Sequence, residues 1–131
     1  MKGGITISRY LRWKKSRHVK SMHRLFRRSL ATPAVGAVGK ASKVVTQNIT
    51  AAALGSGSLN VFGTPAMVAL MEEAACAACA PSLGADETTV GTKVEIVHLK
   101  CTPLGMGVRA EATCTGTKGN FMTFDIVYTG F

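Results

Sequence analysis

Acidic side chains are scarce in this 131-residue chain. There are seven Asp and Glu against sixteen Lys and Arg, and not one acid falls among the first thirty residues. The shortage is local. Residues 1 to 30 hold ten of the basic residues, from Lys2 and Arg9 to Arg27 and Arg28, while the remainder carries six bases and seven acids. The basic isoelectric point therefore describes the first thirty residues, and reading the whole protein as nucleic-acid binding would be an error of averaging. No run reaches the ~18 apolar residues of a transmembrane helix. No G-x-S-x-G, Walker-type phosphate loop or H-E-x-x-H is present, which removes the best-marked nucleophile elbows, nucleotide sites and zinc proteases. Cysteine has a single C-x-x-C, Cys76-Ala77-Ala78-Cys79, inside an Ala-rich helical pattern and without turn residues. Cys101 and Cys114 form no second pair. The four read as buried free thiols acting as small hydrophobes, not as a metal site or redox pair.

Length suits one domain. The basic start, rich in Arg, Lys and Ser and free of acid, has the composition of a transit peptide. From Met22 on, Leu25, Phe26, Ser29 and Leu30 follow helical spacing with Arg24, Arg27 and Arg28 mostly off the stripe. A basic amphipathic helix of this kind contacts a membrane surface or import machinery. Residues 1–35 are thus expected to be a leader, dispensable for folding and directing the protein to an organelle, the mitochondrion first, with residues 36–131 as the domain. Without a genuine leader the expectation is cytoplasmic.

Residues 31 to 42 are small and read as linker, and Lys43 to Thr50 as a strand. Ala51 to Phe62 is a Gly/Ser-rich approach. Thr64 then caps a helix with Pro65 at its first position. Met67, Leu70, Met71, Ala74, Ala75 and Ala78 form its apolar stripe, and Pro81 stops it. Three strands with period two follow. Val90, Val94, Ile96 and His98 share a face in Thr88 to Cys101. Val108, Ala110, Ala112 and Cys114 share one in the next strand, and Met122, Phe124, Ile126 and Tyr128 in the last. One strand, one apolar helix and an antiparallel meander make an α+β domain, a sheet wrapped on a central helix.

Three residues in this frame carry chemistry. Thr64 offers a hydroxyl beside the free N–H groups of a helix start. At about 100° per residue, Glu72 falls about 80° from Thr64, on the margin of the apolar stripe, whereas Glu73 falls on the solvent side. His98 shares its strand face with Val94 and Ile96 and carries an imidazole, a side chain suited to proton transfer. Each alone has a plainer reading: a cap, a hydrated charge, a hydrogen-bonded core histidine. Together they can supply a nucleophile, a base and an orienting group.

With Gly55-Ser56-Gly57-Ser58, Thr64-Pro65 and Val90-Gly91-Thr92 in order, the run from about residue 43 to 128 resembles the hot-dog-fold acyl-CoA thioesterases, in particular their fluoroacetyl-CoA thioesterase type. The resemblance implies a hot-dog fold and hydrolysis of a small acyl-CoA thioester. It assigns Thr64, Glu72 and His98 to the catalytic set, with no metal or redox cofactor and CoA thioester as the substrate. It also implies at least a homodimer, because hot-dog sites resemble clefts between protomers, and no nucleic-acid partner. His98 is then the general base or acid. Glu72 attacks the carbonyl or activates water, and Thr64 orients the acyl group or carries a proton. Gly55 and Gly57 receive no chemistry. Lys93, Lys100, Arg109 and Lys118 are candidates for the CoA phosphates, with no choice among them. The Asp–His pair of the hydratase branch is absent. The family continues beyond Tyr128 with a further strand, so the resemblance expects the last strand to be missing here. The alternatives are a non-catalytic acyl-CoA-binding or scaffold protein, and a membrane or nucleic-acid binder acting through the leader.

Overall fold

The structure, a computed structural model, describes residues 2–14 and 32–131, and of the side chains in 2–14 those of Tyr10 and Arg12. Strands β1 (Lys2–Lys14), β2 (Val38–Val44), β3 (Glu87–Glu95), β4 (Gly107–Lys118) and β5 (Phe121–Gly130) form one antiparallel sheet, and helix α1 (Thr64–Cys79) packs on one face of it. Their spatial order is β2-β4-β5-β1-β3. The core is the shared face of sheet and helix. Every residue of the expected helical stripe is buried, with Cys79 added. So are Val108, Ala110, Ala112 and Cys114 of β4 and Met122, Phe124, Ile126 and Tyr128 of β5. Period-two and helical patterning identified α1, β4 and β5 because both faces of the packing are apolar.

Three expectations are corrected. The first is the domain boundary near residue 35. Lys2–Lys14 is not outside the domain. It is an interior strand, hydrogen-bonded to β5 on one side and β3 on the other. Tyr10 is 2% exposed and meets Phe124 edge-on, with ring centroids 5.6 Å apart. Arg12 Nη2 lies 2.6 Å from Glu87 Oε1 in a buried ion pair, and the other carboxylate oxygen accepts the Gly84 N–H at 2.8 Å. A buried charge pair persists only when both partners are so satisfied. The density of basic residues hid a β-forming stretch, Ile5-Thr6-Ile7, in the same segment. The amphipathic helix expected from Met22 to Leu30 lies outside the described residues.

The same strand corrects the second expectation. A strand following β5 through a tight turn would lie antiparallel against it, and β1 takes that place. The sheet edge that a missing last strand would leave along β5 is therefore covered.

The third concerns residues 31 to 50. The strand there is β2, over Val38–Val44, and Gln47–Ile49 is a short 3-10 turn. The small residues taken for linker are small because α1 crosses here. A Cβ on Gly39 would lie 2.1 Å from the Ala74 carbonyl oxygen and 2.3 Å from the Ala78 nitrogen. Gly39 and Ala41 face the helix, and its Ala74, Ala75 and Ala78 reciprocate. Small residues on both elements let the backbones approach closely.

Candidate active site

Thr64 opens α1, but the cap residue is Gly63, which has no side chain to cap with. The Thr64 hydroxyl turns to His98 instead: Oγ1 and Nδ1 are 2.8 Å apart across 34 residues of sequence. The approach to the helix is pinned so that this meeting occurs. The Gly63 N–H donates to the Ile49 carbonyl at 3.0 Å and the Phe62 N–H to the Thr102 carbonyl at 2.8 Å. An isolated bridge ties Val61 to Pro103. The loops bearing Thr64 and His98 are thereby fastened to each other.

His98 is not on a strand, as period two had suggested. β3 ends at Glu95, and His98 stands in the segment that follows. Val90 and Val94, expected on a buried face with it, are 46% and 37% exposed because β3 is an edge strand. His98 reaches its half-buried position through the loop. Its ring stands edge-on to Tyr128, at 6.3 Å between centroids, and Tyr128 stacks on Phe62 at 5.7 Å. The Tyr128 hydroxyl and the Thr102 hydroxyl are hydrogen-bonded to each other. Burial raises the Tyr128 pKa above 10.0, although its bond to Thr102 opposes the shift. This neutral aromatic floor was missed in the sequence reading, where Tyr128 and Phe62 had no role beyond core and approach. The remaining ring nitrogen of His98, Nε2, is buried with no hydrogen-bond partner among the described residues. A buried polar atom left so is a costly arrangement unless something else meets it.

Glu72 lies two turns along the helix from Thr64, about 12 Å of axial rise. It is half-buried, and its carboxylate rests against Gly91 of β3. Glu73 is exposed and paired with Lys43 at 2.7 Å. The phase argument that separated the two glutamates thus agrees with their surroundings. Among the described residues, no hydrogen bond joins Glu72 to Thr64 or His98. The structure brings Thr64 and His98 together and sets Glu72 apart, on the same helix.

The thiols are all free, but only Cys79 and Cys114 are buried; Cys76 and Cys101 are exposed, contrary to the expectation that all four are core. Burial, then the neighbouring Cys76 and Cys114, push the Cys79 thiol up to about 12. Of the candidate phosphate contacts, Lys93 is ion-paired to Glu95 at 2.8 Å. Arg109 stands 5.9 Å over the Phe131 ring and shares its groove with Glu111 and Asp125, carboxylates that disfavour a phosphate.

Against known proteins, residues 45–129 match the family model of the fluoroacetyl-CoA-specific thioesterase, FlK. The chain belongs to the FlK family of thioesterases. Its fold is that of FlK itself: a crystal structure of an FlK variant superposes with a TM-score of 0.61 at 24% identity, over 75% of this chain and 87% of that one. A second, of an FlK variant in complex with fluoroacetate and CoA, gives 0.62 at 24% identity over 75% and 94%. No curated protein matches the chain. The α+β hot-dog assignment made from the sequence stands, with β1 as an addition to it.

Proposed function

We propose that this chain hydrolyses a small acyl-CoA thioester to the free acid and CoA, using Thr64, Glu72 and His98. The observation that carries the reading is the Thr64–His98 contact of 2.8 Å combined with the buried, unpartnered Nε2. A neutral imidazole has one N–H and one lone pair. With the Thr64 hydroxyl donating to Nδ1, Nε2–H is a hydrogen-bond donor for the developing anion; the proton for the leaving thiolate comes from the imidazolium formed once the ring has taken one from water. With Nδ1–H donating to the hydroxyl, the Nε2 lone pair is free to take a proton from water. In both tautomers Nε2 is the ring atom that meets substrate or water. Over one turnover the carbonyl carbon gains an oxygen from water, the carbon–sulfur bond breaks, and the sulfur leaves as the CoA thiol carrying one water proton. Glu72 activates that water or attacks the carbonyl first, forming an anhydride that water then opens. No metal is required by this scheme. Binding of CoA by an FlK structure supports CoA as the leaving group.

The assembly proposed with it is a homodimer. β3 is an edge strand whose exposed Val90 and Val94 continue into exposed Val97 and Leu99 in the segment leading past His98. An apolar edge of this kind is ordinarily covered.

The test is thiol release from a panel of short acyl-CoAs by the full chain. Turnover that falls by about 10²-fold or more in His98→Ala and in Glu72→Ala supports the reading. A folded wild-type chain that releases no thiol from any acyl-CoA overturns it. Light scattering should give two chains or more; an active monomer at micromolar concentration refutes the dimer.

A further inference from the structure

β3 is irregular beside Glu72. Tyr10 of β1 pairs with Gly91 and Arg9 with Lys93, so Thr92 is the extra residue of a bulge. Bulges bend a strand and re-aim the groups next to them. Immediately before this one stands a residue without a side chain. A Cβ on Gly91 would lie 2.7 Å from Glu72 Oε1, well inside van der Waals contact, and 3.8 Å from Tyr10 Cε1. The positive-φ glycines are at 36, 55, 105 and 119, and Gly91 is not among them. Its backbone is one that any residue adopts, so it is the space, not the conformation, that asks for glycine.

We propose that Gly91 is a positioning residue: at the Thr92 bulge, its missing side chain is the seat of the Glu72 carboxylate and fixes the direction in which that carboxylate faces. The inference rests on the reading of Glu72 as a reacting group. It adds a second element to the site, since the direction of a helix-borne carboxylate is set by the edge strand opposite. The atom that a new Cβ would strike is the far end of a flexible side chain. The fold therefore yields at Glu72, which moves to another rotamer, and not in the sheet. A displacement of about 1 Å in a reacting group costs on the order of 10²-fold in rate.

The decisive variant is Gly91→Ala, measured on the acyl-CoA that the wild-type chain turns over fastest. The expected result is a kcat lower by about 10²-fold, with KM changed by less than about 3-fold and the melting temperature held. The same substitution in a Glu72→Asp background, whose carboxylate is one methylene shorter and clears the new methyl, is expected to cost less than about 3-fold. A merely structural glycine would cost the same in both backgrounds. Wild-type kcat in Gly91→Ala, or equal losses in the two backgrounds, overturns the proposal. A low melting temperature in Gly91→Ala is to be followed by Gly91→Ala/Glu72→Ala. Recovery places the clash on the carboxylate as proposed, and no recovery places it elsewhere and overturns the proposal. A wild-type chain without thiol release sinks the hydrolase reading instead. The seat is then decided by the crystal structure of Gly91→Ala, where a displaced Glu72 carboxylate supports it and an unmoved one refutes it.

Discussion

Removing residues 1–14 should unfold this domain. β1 is the sheet neighbour of β3, so its loss leaves the strand that seats Glu72 at the far side of a gap. Two side chains give the scale. Tyr10 is 2% exposed, and deleting a buried large aromatic costs about 3–5 kcal/mol. Arg12 and Glu87 form a buried pair with side chains 4% and 7% exposed. Taking away one partner and leaving the other charge buried costs about 3–5 kcal/mol. The sum, about 6–10 kcal/mol before any ladder hydrogen bond is counted, equals the whole stability of an ordinary domain, about 5–15 kcal/mol. The assay is thermal melting by circular dichroism of the full chain beside one starting at residue 15, with thiol release measured on both. The truncated chain is expected to show no cooperative transition and no turnover. A graded version uses Arg12→Met, which should lose about 3–5 kcal/mol, and Arg12→Met/Glu87→Met, which should regain most of it because no lone charge remains. A chain from residue 15 that melts within a few degrees of the full one, with its activity kept, refutes the reasoning. The same result decides how a basic leader can work. Cleavage near residue 35 after organelle import would remove β1, so any address in residues 1–35 must be read without being cut off, and the mass of the protein recovered from cells reports this.

Glu72→Ala should lower kcat/KM by about 10²-fold or more while Glu73→Ala leaves it within about 2-fold, since a hydrated carboxylate paired to Lys43 takes no part; equal losses would mean that the helix phase does not select the site. Gly39→Ala should lower the melting temperature by more than about 10 °C, because its Cβ would meet helix backbone that cannot turn aside; an unchanged melt would show that α1 does not cross so closely. Stability should fall as pH rises from 9 toward 12. The Cys79 thiol has its pKa raised from 9.0 to about 12 in the folded state, so the unfolded chain loses this proton first; the contribution is complete below pH 9 and gone above the folded value. Cys79→Ala should flatten that part of the pH–melting curve, and an identical slope would exclude Cys79 as its source.

Where the sequence was legible, it was so because two apolar faces meet. The α1 stripe and the inward residues of β4 and β5 are buried in one apolar core, and periodicity reports that directly. Glu72 could be told from Glu73 on the same ground. Four features escaped. The basic residues of β1 dominate its composition, and the burial of Arg12 depends on Glu87, 75 residues away, which no local pattern announces. Gly39 and Ala41 look like linker because smallness is ambiguous: it marks flexibility in one place and close packing in another. His98 looked like a strand residue because period two persists beyond Glu95, past the point where the ladder stops. The Thr64–His98 pair was foreseen through family likeness; the aromatic floor of Phe62 and Tyr128 was not, since stacking across 66 residues has no signature in either segment.

Register places Lys2 opposite Thr129, so the first residues of β1 run beside the last of β5. Covalent order and spatial order have come apart at this seam. A short reverse turn from Phe131 to Lys2, with the chain reopened between residues 14 and 32, would trace the same sheet with β1 as its final strand: a circular permutation that needs no strand to move. The residues that match the family run from 45 to 129, within β5. The strand β1 that completes the sheet lies upstream of them. For this chain the inventory of strands is therefore better taken around the sheet than along the sequence.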